Sequence, residues 1–116
     1  MSFETVDFAV ADGVARIRLD RPDARNAMNW QLIRDLRAAA ERTVATPGVR
    51  AVLLAGTGQS FCAGGDLKEF RAAEDRGQTL FDMAADMHET VRLLRELPVP
   101  VPSHLPLPLE RHLIPA

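Results

Sequence analysis

The 116-residue sequence predicts an α/β fold, and three observations support this prediction. Residues 3–10 and 14–20 alternate apolar and polar side chains, as half-buried strands do. A segment of helical periodicity follows, and then a mostly apolar run at 49–55. Two further helical segments complete the order β-β-α-β-α-α, which is typical of α/β proteins.

The first two strands are predicted to form a hairpin, because Asp12-Gly13 between them suits a tight turn with positive φ. Alternation places the following residues on one face of each strand: Val6, Phe8 and Val10 in the first, and Ala15, Ile17 and Leu19 in the second.

The next segment reads as a helix with Asn29 as its N-cap and Thr46-Pro47-Gly48 as its end. Helical spacing predicts a buried stripe and an exposed face. The stripe comprises Leu32, Ile33, Leu36, Ala40 and Val44, and the exposed face carries Arg34, Asp35, Arg37 and Glu41. The apolar run at 49–55 then predicts a strand buried on both faces.

A short helix is expected at 66–73 and a longer one at 78–97, with Arg92 and Glu96 as an i,i+4 ion pair. The longer helix has an apolar stripe that serves either as core or as a contact face for further elements. This stripe comprises Leu80, Ala84, Met87, Val91 and Leu94.

The last segment, 97–116, holds six of the eight prolines in the chain. Alternating prolines remove backbone donors, so we expect extended polyproline-like or disordered chain here. The sequence therefore predicts two parts, a domain over residues 1–101 and a Pro-rich irregular tail over residues 102–116.

Composition excludes several classes of function. The net charge is −2 with acids and bases interleaved, so no basic patch for nucleic acid or a membrane surface is expected. The chain has one cysteine, no recognisable signal peptide and no run of roughly 20 apolar residues. We therefore expect a cytoplasmic protein that spans no membrane, and the sequence offers no metal site.

The segment with chemical potential is residues 60–67, Ser-Phe-Cys-Ala-Gly-Gly-Asp-Leu, between a predicted strand and a predicted helix. Consecutive glycines allow a ligand to approach the backbone, and a helix N-terminus adds a positive dipole end. Together these features can hold an oxyanion. Taken alone, however, a Gly-Gly turn that opens a helix is more often simple punctuation.

Four ordered segments resemble the crotonase superfamily, also called the enoyl-CoA hydratase/isomerase family. They are residues 17–29, with Arg-Pro-Asp-Ala-Arg-Asn-Ala-Met-Asn, and residues 50–56, 60–67 and 94–101. The resemblance covers residues 3–101, the N-terminal part of the family pattern. It implies a fold in which ββα-type turns form a spiral, and assembly as trimers or dimers of trimers.

The resemblance also implies an acyl-CoA substrate and the residues that would hold it. The backbone N–H of Gly65 would be the first donor to the thioester oxygen as an enolate develops. No separate cofactor is implied, since coenzyme A is part of the substrate. Asp66 could instead cap the following helix. The implied CoA-binding residues are Arg25, Ala27, Ala63, Gly64, Gly65, Asp66 and Leu67.

After Val101 the sequence departs from the family pattern. The family continues with an apolar strand, a glycine-rich turn that supplies a second oxyanion donor, and catalytic glutamates, whereas no glycine follows Gly77 here. We therefore expect a truncated chain that is inactive alone. The alternatives are a non-catalytic fragment that binds CoA or self-associates, and a non-functional gene fragment. Hydratase, isomerase, hydrolase, decarboxylase and dehalogenase reactions all stay open.

Overall fold

The computed structural model describes residues 3–58, 64–97, 101–104 and 111–114 and confirms the α/β class. Five strands form one sheet in the order β1-β2-β3-β4-β5. The outer pairs are antiparallel, whereas β3 runs parallel to both β2 and β4. The strands are β1 (Val6–Ala11), β2 (Val14–Leu19), β3 (Ala51–Gly56), β4 (Val101–His104) and β5 (Arg111–Ile114), and the helices are α1 (Trp30–Ala45), α2 (Leu67–Ala72) and α3 (Arg76–Arg95).

The β1–β2 hairpin has the predicted turn, because Asp12 and Gly13 both adopt positive φ, at 54° and 79°. This is the two-residue geometry that matches the twist of the flanking strands. All three predicted core residues of β2 are buried, and so is Val6. Val10 is 39% exposed, since it lies near the turn of an edge strand.

Helix α1 begins and ends where the sequence predicts. The Asn29 side chain accepts a hydrogen bond of 2.9 Å from the Leu32 N–H, which satisfies one of the free donors at the helix start. Thr46 is the C-cap, and Gly48 follows with a φ of 84°. Four stripe residues are buried as predicted, namely Leu32, Ile33, Leu36 and Ala40.

Two predictions for α1 are wrong. Asp35 is buried rather than exposed, because the N-terminal segment crosses α1 at this point and supplies hydrogen bonds. The Thr5 N–H and hydroxyl both donate to Asp35 Oδ2, at 3.0 and 2.7 Å. Val44 is 47% exposed, and Ala39 and Thr43 take the buried positions instead.

Strand β3 is buried on one face only, which corrects the two-faced prediction. Val52 and Leu54 are buried in the core with α1 and α3, whereas Leu53 is half-buried on the opposite face. No helix of the described chain packs on the face of the sheet that carries Leu53. Arg16 and Arg18 of β2 lie on that same face.

Helix α3 faces the core with a stripe that only partly matches the predicted one, because Leu94 is buried and Met87 packs against the core as predicted. Leu80 and Val91 are 54% and 40% exposed, whereas Met83 and Thr90 are buried together with Leu94. The stripe at 83, 87, 90 and 94 has the same helical spacing, so periodicity alone could not choose between the two. The predicted pair of Arg92 and Glu96 is present, with an N–O distance of 2.6 Å.

The expectation of an irregular tail is wrong for residues 101–104 and 111–114, which form β4 and β5. Pro102 is compatible with β4 because pairing with β3 begins one residue later, at Ser103, so its missing N–H costs that ladder nothing. Residues 98–100, 105–110, 115 and 116 lie outside the described residues. The domain boundary at Val101 stays a prediction.

Leu80→Ala tests which side of α3 faces the core, and Leu32→Ala in α1 is the reference for a fully buried leucine. Leu32→Ala should lower the free energy of unfolding by about 2–5 kcal/mol, because Leu32 is fully buried and leaves a cavity. Leu80→Ala should cost less than about 1 kcal/mol. Urea denaturation of the two variants checks this, and equal losses would contradict the observed orientation of α3.

Candidate oxyanion site

The loop after β2 is held in an uncommon backbone conformation. Arg25 and Asn26 both have positive φ, at 54° and 57°, which non-glycine residues adopt rarely. The fully buried Asn26 side chain stabilises this conformation by accepting from the Arg21 N–H at 2.7 Å and donating to the Thr57 carbonyl at 2.9 Å. The loop is therefore fixed beside the exit of β3.

Met28, at the end of this loop, pairs with the glycine segment. Its N–H donates to the Gly64 carbonyl at 2.7 Å, and its carbonyl accepts from the Asp66 N–H at 3.0 Å. These two bonds form an isolated parallel bridge between Met28 and Gly65. In this parallel pattern, Met28 directs both of its backbone groups toward residues 64 and 66. Gly65, which lies between those two residues, directs its own N–H and carbonyl away from Met28. The Gly65 N–H therefore points away from Met28.

The Gly65 N–H is available to a ligand. Gly65 is exposed, and among residues 3–58 and 64–97 no hydrogen-bond acceptor is found for its N–H. Gly64 has a φ of 107°, a conformation that side chains rarely allow, so a glycine is required there. The second of the two consecutive glycines supplies the donor, and the first allows the turn.

The Asp66 carboxylate connects the start of helix α2 to the Arg21 side chain in the loop after β2. One carboxylate oxygen, Oδ1, accepts from the N–H groups of Lys68 and Glu69 at 3.0 and 3.4 Å, so Asp66 caps α2 as the sequence suggested. The other oxygen, Oδ2, accepts from both terminal nitrogens of Arg21 at 3.2 Å. Glu69 in turn accepts from the Trp30 N–H at 2.8 Å, which ties α2 to the start of α1.

These contacts determine the ionisation of Asp66. Partial burial raises the pKa of its carboxyl group, but the hydrogen bonds from Glu69, Arg21 and Lys68, with the Arg21 charge, outweigh burial. The net pKa of Asp66 is lowered, so the carboxylate stays charged at neutral pH.

The structure brings together most of the sequence-predicted residues, with Arg25 set apart. Ala27 is half-buried, and its carbonyl accepts from Arg21, which also binds Asp66. Arg25 is exposed, and in the described chain no hydrogen bond or ion pair joins it to residues 64–66. Leu67 is the first residue of α2, and Ala63 lies outside the described residues. Sequence reasoning missed Arg21 and Asn26.

An apolar cavity of about 120 Å³ lies between the sheet and helices α1 and α3. Met28 is one of the residues that line it, and the backbone of Met28 also forms the bridge to Gly65. The remaining lining residues are Ile17, Leu19, Leu36, Leu54, Ala55, Met87, Thr90, Val91 and Leu94. Met28 therefore separates the Gly65 N–H from the apolar cavity.

Within the part of the chain that the structure describes, no cluster of histidine, cysteine and acidic side chains could hold a metal ion. No described helix is both long and apolar enough to cross a membrane.

Comparison with known proteins places this fold and loop in a family. The family model for enoyl-CoA hydratase/isomerase matches residues 9–105, and the chain belongs to this family. A Rhodobacter capsulatus protein named "Probable enoyl-CoA hydratase" is 42% identical over 67 residues, which are 58% of this chain and 25% of that protein. A Mycobacterium tuberculosis protein of the same description is 39% identical over 85 residues, covering 69% of this chain and 33% of that protein.

Solved structures agree with this assignment and confirm the crotonase-type fold. An enoyl-CoA hydratase of Mycobacterium smegmatis superimposes with a TM-score of 0.80 at 32% identity, over 87% of this chain. The aligned region is 39% of that chain. The chain therefore spans between a quarter and two-fifths of the length of these relatives.

The lowered pKa of Asp66 predicts a pH-dependent contribution to stability. Asp66→Asn should destabilise the chain by about 1 kcal/mol at pH 7, a value discounted for solvent screening of the charged hydrogen bonds. Because the folded pKa is lowered, this contribution is present above the ordinary aspartate pKa of about 3.9 and is lost as pH falls through the lowered value. Urea titrations of wild type and variant should therefore converge in acid.

Asp7→Asn is the matched control, since Asp7 also pairs with an arginine but is 59% exposed. It should change stability little at either pH. A difference between wild type and Asp66→Asn that stays constant from pH 7 to pH 3 would contradict the account of Asp66.

Proposed function

We propose that this chain supplies the first oxyanion donor of an enzyme that acts on acyl-CoA thioesters. The Gly65 N–H donates a hydrogen bond to the thioester carbonyl oxygen, and it stabilises the negative charge that develops there as an enolate forms. The observation that supports this proposal is the Met28–Gly65 bridge, which directs outward an exposed N–H that no described residue accepts. A fixed donor of this kind contributes about a hundredfold to a thousandfold in rate.

The remaining parts of the site fit a CoA thioester. Arg25, Ala27, Ala63, Gly64 and Leu67 flank the CoA moiety in the proposed complex. Asp66 serves the site mainly as a structural residue, because both of its carboxylate oxygens are already engaged. The apolar cavity beside Met28 suits the hydrocarbon part of an acyl group.

The proposal extends to partners and location. The substrate brings its own coenzyme A, so no further cofactor is needed. A cytoplasmic role in fatty-acid metabolism, without nucleic acid or membrane partners, agrees with the single cysteine and the interleaved charges. In the whole family protein, we propose assembly into trimers or hexamers.

Hydration of a 2-enoyl-CoA is the activity that the names of the relatives carry. It requires a second oxyanion donor and carboxylates that move protons in addition to Gly65. The sequence has no glycine-rich turn after Gly77, and we assign neither of the two proton-transfer roles to Glu110. We therefore propose that the 116 residues bind the thioester without completing the reaction.

Thermal unfolding with and without acetyl-CoA tests binding at Gly65. Saturating acetyl-CoA should raise the unfolding temperature by several degrees, because a ligand stabilises the state that it binds. Gly65→Pro removes the N–H donor and should lower the rise to the value that free CoA gives, whereas Gly65→Ala keeps the N–H and is the control. A rise with acetyl-CoA that exceeds the rise with free CoA as much in Gly65→Pro as in wild type would contradict the proposal.

Turnover is a separate test. Purified chain mixed with crotonyl-CoA should produce no 3-hydroxybutyryl-CoA above the uncatalysed rate, since one oxyanion donor without proton-transfer groups cannot hydrate the double bond. Chromatographic product analysis checks this. Hydration that disappears in Gly65→Pro would show that the 116 residues contain a complete active site.

A further inference from the structure

Arg21 contacts both peptide segments that surround the proposed oxyanion donor. One terminal nitrogen, NH1, donates to the Ala27 carbonyl and, at 3.2 Å, to Asp66 Oδ2. The other, NH2, donates to the same carboxylate oxygen at 3.2 Å. The Arg21 and Asp66 side chains are only 20% and 15% exposed, so solvent screens this pair less than a surface ion pair.

The Ala27 contact connects Arg21 to Gly65 through two planar peptides. The Ala27 carbonyl and the Met28 N–H belong to one peptide unit, and that N–H donates to the Gly64 carbonyl at 2.7 Å. The Gly64 carbonyl and the Gly65 N–H belong to a second unit. Because each unit is rigid and its carbonyl and N–H point in opposite directions, holding one end orients the other.

The same chain of hydrogen bonds also carries the electrostatic polarisation caused by the Arg21 charge. A guanidinium at the Ala27 carbonyl draws electron density through that peptide and makes the Met28 N–H a stronger donor. The stronger bond to the Gly64 carbonyl polarises the next peptide in the same direction, toward a stronger Gly65 N–H donor. Hydrogen bonds in such chains strengthen one another.

Asp66 completes the arrangement from the other side. Its N–H donates to the Met28 carbonyl, and its side chain receives the Arg21 fork. Lysine cannot reproduce this arrangement, since a single ammonium has no planar fork that spans the Ala27 carbonyl and the carboxylate.

We propose that Arg21 is the positioning residue of the oxyanion donor, which it orients and polarises through the peptide units 27–28 and 64–65. This inference rests on the proposed function for the ligand that Gly65 meets. Arg21 itself need not touch that ligand.

The test compares Arg21→Met and Arg21→Lys with Arg18→Met in the full chain. Arg18 is the matched control, because it also pairs with an aspartate at 3.0 Å but is 52% exposed and lies on β2 away from the donor. The first readout is amide hydrogen exchange of Met28 by NMR without ligand. The second is the ratio of the dissociation constants for free CoA and acetyl-CoA, which differ in the acetyl group that carries the thioester oxygen.

Arg21→Met should speed Met28 exchange by about tenfold and lower the preference for acetyl-CoA by a similar factor, as expected for weakening one hydrogen bond. The affinity for free CoA should stay within about twofold, which a general loss of structure would not allow. Arg21→Lys should recover part of both effects. Arg18→Met should change neither readout.

The outcomes separate the two proposals. A thioester preference in wild type that Arg21→Met retains overturns the role of Arg21 and leaves the proposed function in place. No preference in wild type overturns the proposed function, and with it the role of Arg21. Loss of hydrogen-exchange protection at the buried Leu54 amide would show that Arg21→Met does not fold. Arg21→Lys is then the test variant. An unchanged ratio of the dissociation constants for free CoA and acetyl-CoA in Arg21→Lys overturns the inference.

Discussion

Two backbone hydrogen bonds, one donated by the Met28 N–H and one accepted by its carbonyl, hold the candidate site together. They join the loop after β2 to the loop after β3, two segments that are far apart in sequence. Every feature of the donor depends on them, because they fix the peptide on each side of Gly65 and leave the Gly65 N–H directed outward. The parallel pairing of β2 with β3 makes this contact feasible, since both strands deliver their loops to the same edge of the sheet.

In the proposed role, Gly65 would stabilise negative charge next to the carboxylate of Asp66. Asp66 follows the donor directly, and an uncompensated charge there would oppose an oxyanion. Its two oxygens are instead engaged by Arg21 and by the first N–H groups of α2. The lowered pKa of Asp66 reflects the same contacts, so one side chain caps α2 and anchors Arg21 at neutral pH.

Features that depend on neighbouring residues were predictable from the sequence. The Asp12-Gly13 turn and the Asn29 cap follow from backbone preference and short-range hydrogen bonding, and both are confirmed. Asp35 was misassigned because its burial depends on donors from Thr5, thirty residues earlier. The α3 stripe was correct at Met87 and Leu94 but wrong at Leu80 and Val91, because two overlapping sets of residues share the same period and only packing against α1 and the sheet selects one.

The same distinction applies to the site. Gly64 and Gly65 stand out in the sequence as adjacent glycines before a helix, so their loop could be found. Arg21 could not, since its partner Asp66 lies 45 residues away and no local pattern links them. The oxyanion role proposed for Gly65 came from the family resemblance, and the outward orientation of the Gly65 N–H supports that proposal.

A crystal structure of the chain with bound acetyl-CoA would show whether Gly65 is the donor to the thioester. We expect the thioester oxygen about 2.7–3.1 Å from the Gly65 nitrogen, in line with the N–H, with the Met28–Gly65 bridge intact. A thioester oxygen bound elsewhere, or a Gly65 N–H turned toward a protein acceptor in the complex, would contradict this expectation.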